Sequence, residues 1–200
     1  MIMSINNDTR DVKLVSVYRD TYLDIGPEGE QYFQKANAAY SFAGPERAVS
    51  MLNKNLDLKV DNYMTVDFNA LAKAVDILGG ITLEITDEAE LKELNRVIVE
   101  TNGYLDGNSP TLDSVGEHTL DGVQAVSYAR IRKLSGGDYK RAQRQRIVLS
   151  KMIKKAKSSN LRTINKLIKT IMPYVQSDLS ESDLISMASV MISYDMNDSR

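Results

Sequence analysis

Apolar residues follow the pattern of a β-strand at four places in the first 85 residues of the chain. The strands that this pattern predicts lie at residues 1–5, 12–18, 60–68 and 81–85. In the second of them, Val12 and Leu14 point to one side and Val15 and Val17 to the other. We therefore expect this strand to be buried on both faces beneath covering helices, whereas ITLEI at residues 81–85 leaves one face wetter.

Apolar residues recur every three or four positions along much of the remaining chain, which predicts helices. The predicted helices cover residues 45–56, 70–78, 88–99, 122–129, 139–157, 161–172 and 181–193. Their starts carry local signals: Pro45 at a first helical position, Asn69 as an N-cap, and Asp121 with Gln124 as a capping box. Strands that alternate with helices, followed by helices alone, predict an α/β fold. We expect a three-layer α/β/α sandwich with a mixed central sheet and additional C-terminal helices.

Composition restricts the function more than the fold. The 200 residues favour one domain, 1–200, with the helices of 158–200 packed on that same domain. Lys and Arg total 25 against 27 Asp and Glu, so a net charge of −2 gives no reason to expect general binding to nucleic acid. Cysteine is absent and His118 is the only histidine. This excludes a thiolate site and disfavours a Ser-His-Asp relay or a histidine-based zinc site.

The densest positive charge lies in YARIRKLSGGDYKRAQRQR at residues 128–146, where seven of the nineteen residues are Lys or Arg. In an extended chain Tyr128, Arg130 and Arg132 would share one face, and two neighbouring arginines could hold a diphosphate through planar, bidentate hydrogen bonds. The alternative is a solvated helix end, where cations complement the helix dipole. The residues alone favour this second interpretation.

The second half of this stretch predicts a helix with an interrupted apolar stripe. The stripe consists of Ala142, Gln145, Leu149, Met152 and Ala156. The opposite side, which is expected to face solvent, consists of Lys140, Arg144, Lys151, Lys154 and Lys155. Because Gln145 interrupts the stripe and Arg141 borders it, we expect both to face an internal polar site. A DNA-binding helix would instead carry its arginines outward, toward a groove. Asp138 follows two glycines and is the expected N-cap of this helix.

A second polar group follows the buried strand in SVYRDTYL. Arg19 and Asp20 lie where the strand ends, and ligands of α/β sheets bind beyond the carboxyl ends of strands. Lys35 and Asn37 are expected in a loop before the first helix, and Asp67 closes the next strand. If the strands are parallel, these side chains meet at one edge and suit a phosphorylated substrate, with chemistry assisted by a metal. A surface ion pair between Arg19 and Asp20 is the competing interpretation.

Together these motifs resemble the LytR-CpsA-Psr family of cell-wall glycopolymer transferases. The resemblance rests on SVYRDTYL, KANAAYSFAGPERAV, VDNYMTVDFNALAKAVDILGGITLEI and GEHTLDGVQAVSYARIRKLSGGDYKRAQRQR, in this order over residues 1 to about 157. It implies an α/β/α domain outside the cytoplasmic membrane of mainly Gram-positive bacteria, tethered by an N-terminal transmembrane helix. Such a domain would take a teichoic acid or capsule polymer from a polyprenyl diphosphate carrier and attach it to peptidoglycan through a phosphodiester bond, assisted by Mg²⁺.

The resemblance also implies roles for single residues. Those expected to bind the diphosphate are Arg19, Lys35, Asn37, Arg130, Arg132, Arg141 and Gln145. Among them, the arginines expected to take part in catalysis are Arg19, Arg130 and Arg132. Those expected to support the site are Asp20, Asp67 and Asp138.

The family's two metal-binding aspartates precede the segment that matches MIMSI. The resemblance therefore implies that the magnesium ligands, an edge strand and the membrane anchor lie outside these 200 residues, and we expect this chain alone to be inactive in transfer. Two other functions stay open: a module that binds polyprenyl phosphate without catalysis, and a transcriptional regulator of cell-envelope genes. The net charge and the expected inward placement of Arg141 argue against nucleic acid as a partner.

Overall fold

A computed structural model describes residues 1–191 and 193–196 of the chain as a mixed α/β fold, which confirms the predicted class. The helices are α1 (Ala36–Leu56), α2 (Phe68–Ile77), α3 (Glu88–Leu105), α4 (Gly122–Arg130), α5 (Gly137–Lys157), α6 (Leu161–Ile171) and α7 (Glu181–Met191). The strands are β1 (Ile2–Asn6), β2 (Asp11–Val15), β3 (Tyr22–Asp24), β4 (Phe33–Lys35), β5 (Met64–Val66), β6 (Ile81–Ile85), β7 (Gly116–Leu120), β8 (Val175–Ser177) and β9 (Asp195–Met196). The predicted ends of the last helix and of the domain include residues 192 and 197–200, which lie outside the described residues.

The strands pair in small sheets. β1 and β2 are antiparallel, and β9 joins β2 in parallel, which makes a mixed three-stranded sheet. The pairs β3–β4, β5–β8 and β6–β7 are each antiparallel and two-stranded. Within residues 1–191 and 193–196 the strands are thus divided among four sheets. None of the described helices combines the length and apolar composition needed to cross a membrane.

The prediction that the strand now labelled β2 is buried on both faces is wrong. Val12 and Leu14 are buried, but Val15, on the opposite face, is 49% exposed. The described part of the chain covers only one side of this strand, although its sequence is apolar on both. In β6 the expectation is confirmed, because Ile81, Leu83 and Ile85 are buried while Glu84 is exposed.

The main hydrophobic core lies between β6 and the helices α3 and α4. Leu94 and Ile98 of α3, Ala125 of α4 and Ile131 are each fully buried there. Burial of a side chain the size of Leu or Ile stabilises the fold by roughly 1.5–3 kcal/mol. Val148 of α5 reaches the same core, so the core fixes the spacing of α3, α4 and α5.

The helix starts follow capping chemistry. In the predicted capping box, Asp121 Oδ1 accepts from the Gln124 amide and Gln124 Oε1 accepts from the Asp121 amide, both at 2.9 Å. The prediction of Asn69 as a cap is wrong by two residues, since Asp67 accepts from the Ala70 amide at 2.7 Å and begins α2. Helix α3 continues six residues beyond the predicted end and stops at Asp106, which adopts the left-handed conformation.

Helix α1 is longer than predicted and is kinked. Ala43 and Gly44 have non-helical backbone angles, with φ of 74° at Gly44, and Pro45 begins the second segment as expected. The first segment was not predicted. It places Asn37 in the first turn of α1, and Lys35 ends β4, so the prediction that these two residues lie in a loop is wrong.

A smaller core of Ile25, Ala36, Ala39 and Met51 packs α1 against the β3–β4 hairpin. Beside it lies Asp24, whose carboxylate accepts hydrogen bonds from the amides of Gly26 and Tyr32, both at 2.9 Å, and contacts Lys54 Nζ at 2.5 Å. The hydrogen bond from Lys54, with those from the two amides, lowers the pKa of Asp24 to about 2.

This lowered pKa predicts how the domain loses stability in acid. Because Asp24 is a stronger acid in the folded state, its stabilisation is complete above pH ~4, near its ordinary pKa, and is lost as the pH falls toward 2. We expect Asp24→Asn to lower the Tm by several degrees at pH 7 and to flatten the decline of Tm between pH 4 and 2. Thermal melts across this range measure both effects. Asp8→Asn, at an exposed turn, should leave the profile unchanged, and an equal change in both variants would contradict the assignment.

Candidate anion-binding site

The two arginines of YARIR lie at the end of a helix rather than in an extended strand. Helix α4 continues through Arg130, and the chain leaves the helix at Ile131, which has φ −54° and ψ 127°. The extended interpretation of Tyr128, Arg130 and Arg132 is therefore wrong. The capping box at the start of α4 sets a strong helical register, which persists to Arg130.

Arg130 is held from two sides. Its Nη1 donates to Thr101 Oγ1 at 2.8 Å, and its guanidinium carbon lies 5.2 Å from the ring centre of Phe68 and 5.6 Å from that of Tyr104. The two rings contact each other edge to face at 6.1 Å. A guanidinium on aromatic faces keeps its charge while its remaining N–H groups stay available to an anion. Asp67, the cap of α2, immediately precedes Phe68 and so helps to place that ring.

Arg141 is largely enclosed, with 12% of its side chain exposed. Its Nη1 lies 2.9 Å from Asp138 Oδ1, but the angle does not form a hydrogen bond, so this buried N–H group has no hydrogen-bond acceptor in the described part of the chain. Burial lowers the pKa of Arg141, and the nearby positive charges of Arg132 and Arg19 lower it further. Arginine stays protonated despite such a shift, so the site retains a concentrated positive charge.

Asp138 is not the N-cap of α5 that its position predicted. Gly136 occupies the cap in the left-handed conformation, with φ of 92° and without a side-chain hydrogen bond, and Asp138 lies in the first turn. Glycine adopts this conformation at little energetic cost. Because the side chain of Asp138 is not used as the cap, it can pair with Arg141 one turn later.

A second group of polar side chains lies next to the start of α5. Lys35 Nζ and Arg19 Nε are 3.1 and 3.5 Å from Asp20 Oδ1, and the hydrogen bond with Lys35 lowers the pKa of Asp20. The Asn37 amide donates to the Arg19 carbonyl at 3.1 Å, which ties α1 to this turn. The rings of Tyr18 and Tyr139, 5.8 Å apart, join the turn to α5. Four cations, Arg19, Lys35, Arg132 and Arg141, therefore gather around two carboxylates, Asp20 and Asp138.

One cavity of about 470 Å³ is lined by Arg130 at the end of α4, by Arg132 in the following loop and by Arg141 of α5. Its lining consists of Phe68, Arg96, Val97, Glu100, Ala129, Arg130, Arg132, Lys133, Arg141 and Gln145. Small-molecule sites commonly measure about 300–1,000 Å³. One part of the wall is cationic and another is apolar, an arrangement that suits an amphiphile with an anionic head.

Arg96 is paired with two carboxylates of its own helix. Its Nε and Nη2 contact Glu93 at 2.8 and 2.6 Å, and its Nη1 contacts Glu100. Arg96 lowers the pKa of Glu93, and Glu93 raises that of Arg96. The charge of Arg96 is thus neutralised within α3.

The predicted orientation of α5 is wrong by one residue. Arg144, expected in solvent, is 8% exposed, and Gln145, expected in the interior, is exposed at the cavity rim. Arg144 is buried because Glu90 of α3 accepts from its Nε and Nη2 at 3.3 and 3.2 Å. A partner 54 positions away is invisible to helical periodicity.

Several residues of the site were missed by sequence reasoning. They are Phe68, Arg96, Thr101, Tyr104 and Lys133. Phe68 could have been noticed as an apolar residue beside the helix cap, but Thr101 and Tyr104 carry no local signal because the predicted helix ended before them.

A larger hollow of about 630 Å³ lies elsewhere on the molecule. Its lining residues include Glu28, Glu46, Asp61 and Asp178, with Lys54 as the cation. Lys54 is already paired with Asp24. An acidic surface repels a diphosphate, so the smaller, basic cavity is the candidate site.

The carboxylates of the described residues are not arranged to bind magnesium. Among the described residues, no group of three or more His, Asp or Glu is placed to hold a metal ion. Asp20 and Asp138 are each paired with cations. These carboxylates do not fit a magnesium site.

Fold and site together give a mixed α/β domain with a pocket lined by arginines and by a few apolar side chains. The chain belongs to the LytR_cpsA_psr family, whose model matches residues 1–198. It is 29% identical over 191 residues to the polyisoprenyl-teichoic acid–peptidoglycan teichoic acid transferase TagU of Enterococcus faecalis, covering 94% of this chain and 56% of that protein. It is 28% identical over 188 residues to the corresponding transferase TagT of Bacillus subtilis, covering 94% of this chain and 54% of that protein.

A solved structure of a family protein, TagT with bound octaprenyl pyrophosphate lipid, superposes with a TM-score of 0.68 at 26% identity. The superposition covers 97% of this chain and 67% of that one. The chain spans about half the length of the curated relatives it matches.

Proposed function

We propose that this domain binds a polyprenyl-diphosphate-linked glycopolymer, of the teichoic acid or capsule type, and serves its transfer to peptidoglycan. The observation that carries the proposal is the cavity where Arg130, Arg132 and Arg141 meet an apolar wall. The buried Nη1 of Arg141 is paired in charge with Asp138 but has no hydrogen-bond acceptor among the described residues, and a phosphate oxygen would supply one. The lipid complex of a family member supports the choice of ligand.

The chemistry of the proposal is electrostatic. Arg130 and Arg132 would hold the diphosphate through charge-assisted hydrogen bonds, and Arg19 and Arg141 would offset charge that develops as the lipid phosphate departs. Lys35, Asn37 and Gln145 complete the proposed diphosphate contacts, with Asp20, Asp67 and Asp138 in support. Phe68, Val97 and Ala129 offer a surface for the first isoprene units of the lipid.

The wider setting of the proposal follows from the family. The acceptor would be peptidoglycan, and the location would be the outer face of the cell membrane. The cofactor would be Mg²⁺, to which no carboxylate among the described residues is assigned as a ligand. We also propose a single domain for residues 1–200 in the three-layer α/β/α arrangement. The alternation of strands and helices along the chain supports that arrangement.

Binding of octaprenyl diphosphate tests the proposal directly. In detergent solution we expect saturable binding by calorimetry, at least about tenfold tighter than octaprenyl monophosphate, since a second phosphate reaches additional arginines. Farnesol at equal concentration is the control for apolar binding alone. Equal affinity for all three lipids would contradict the diphosphate site. Salt-sensitive, sequence-preferring DNA binding would instead favour the regulator.

Transfer is tested separately from binding. The 200-residue chain and a chimera that carries the N-terminal segment of the Bacillus subtilis transferase TagT in front of it are each given lipid-linked polymer, peptidoglycan and Mg²⁺. We expect phosphodiester-linked product from the chimera and little from the chain alone. Product from neither, with binding intact, would leave the binding module as the function. Equal product from both would refute the expectation that this chain is inactive.

A further inference from the structure

The ion pair between Glu90 and Arg144 is the most deeply buried one described. Glu90 is 5% exposed and Arg144 is 8% exposed. One oxygen of Glu90, Oε1, accepts from both Nε and Nη2 of Arg144. The other, Oε2, accepts from the amide and the hydroxyl of Thr86 at 3.1 and 3.0 Å. Every oxygen of the carboxylate is therefore fixed.

A third helix takes part in this contact. The guanidinium carbon of Arg144 lies 5.8 Å from the ring centre of Tyr128 on α4. Burial raises the pKa of the Tyr128 hydroxyl, and the charge of Glu90 adds to that effect. The pair consequently joins α3, α4 and α5 at one point.

Apart from the ring contact between Tyr139 and Tyr18, the N-terminal part of α5 makes few contacts through buried side chains. The buried residues of this helix are Arg144, Val148 and Ser150, so Arg144 is the only one before residue 148. The cap at Gly136 makes no side-chain hydrogen bond. Apolar packing therefore begins one turn after Arg144, while Arg141, which the cavity needs, lies one turn before it.

Stability alone does not account for a buried ion pair, because apolar residues of similar volume often serve as well or better. Two charge-assisted hydrogen bonds that converge on one buried carboxylate oxygen do, however, restrict the register and rotation of one helix against another. We propose that Glu90 and Arg144 are positioning residues, which fix the rotation of α5 so that Arg141 and Gln145 face Arg130 across the cavity. This inference rests on the proposed diphosphate binding for its functional meaning, but not for its geometry.

The first test measures geometry without any ligand. The chain has no cysteine, so a thiol-reactive spin label attaches only to the cysteines that are introduced. We place these at two exposed positions, Lys92→Cys on α3 and Lys151→Cys on α5. We expect a narrow distance distribution in the otherwise unchanged protein and a broad or displaced one with Arg144→Met. Arg146→Met, the same substitution two residues away, is the matched control. An identical distribution in all three proteins would overturn the inference.

The second test measures the effect on the site. At a temperature where the variants are folded by circular dichroism, we expect Arg144→Met to weaken octaprenyl diphosphate binding about tenfold or more, and Arg144→Lys to recover part of it. Arg141→Ala should cost much less in the Arg144→Met background than alone, because a displaced Arg141 contributes little. A merely structural Arg144 would lower the Tm, leave Kd unchanged and give additive effects, and that result would refute a positioning role.

The two tests separate the claims. If the unmodified protein fails to bind the lipid, the proposed function fails, and the label distances alone decide the positioning role. If Arg144→Met does not fold, Glu90→Gln replaces it, since the amide keeps the shape and removes the counter-charge. Unchanged label spacing and unchanged affinity in folded Glu90→Gln would overturn the inference.

Discussion

Arg130→Ala combined with Arg132→Ala is expected to weaken octaprenyl diphosphate binding by about 100-fold or more. Each arginine can offer charge-assisted hydrogen bonds worth roughly 1.5–3 kcal/mol, and both line the cavity. Arg132 is exposed, so its removal should not affect folding, whereas the loss of Arg130 and its contact with Thr101 should also lower the Tm slightly. Titration calorimetry with the lipid and a thermal melt of each protein measure the two quantities.

The matched control removes two positive charges from elsewhere on the surface. Lys151→Ala with Lys166→Ala changes the net charge equally at two exposed helical positions. We expect its affinity to fall by less than about twofold at 0.15 M salt, where charges beyond roughly 8 Å are screened. Equal losses in both double variants would show that the lipid responds only to overall charge, and the assigned site would have to be abandoned.

Gly122→Ala is expected to destabilise the domain by about 3 kcal/mol or more. This is the largest change in stability that we expect from any glycine-to-alanine substitution in the chain. A Cβ at position 122 would lie 2.7 Å from the carbonyl carbon of Ala72 and 2.8 Å from its Cα, and closer still to its carbonyl oxygen. The Gly122 amide also donates to Asp76 Oδ1 at 2.7 Å, which keeps α4 tightly against α2. Backbone atoms cannot move aside as a flexible side chain can.

The control for this substitution lies on another helix of the same domain. Gly103→Ala in α3 introduces the same methyl group where nothing lies within 4 Å, at an exposed helical position. We expect it to stabilise the fold by roughly 0.5–1 kcal/mol, because alanine has less conformational freedom to lose than glycine. For a domain of this size 1 kcal/mol shifts the Tm by about 2–4 °C, so melts resolve the two directions. If Gly122→Ala left the Tm unchanged, α2 and α4 would have to be packed less closely than the distances to Ala72 indicate.

Local signals predicted this molecule well wherever the physical cause is itself local. The capping box of Asp121 and Gln124 and the helix start at Pro45 depend on residues within one turn, and both were predicted correctly. The family motifs likewise fall within continuous segments. The fold class followed because alternation of strands and helices is visible in a single sequence.

The errors arise where a distant partner decides. Helix α5 is rich in charge, so its apolar stripe is a weak guide to rotation, and Glu90 turns Arg144 inward instead of Gln145. Thr101 and Tyr104 joined the site only because α3 runs on to Leu105. Such contacts between distant segments leave no periodic trace in either one.

The gathering of Arg19, Lys35, Arg132 and Arg141 around two carboxylates has a thermodynamic consequence. Like charges held close together oppose folding, and a bound polyanion relieves that repulsion. Ligand occupancy and resistance to heat are therefore linked, and the filled domain should melt at a higher temperature than the empty one. Replacing Arg141 by an apolar residue should therefore raise the Tm of the empty domain and weaken the proposed binding of an anion. In this part of the molecule, the proposed binding is favoured at the expense of stability.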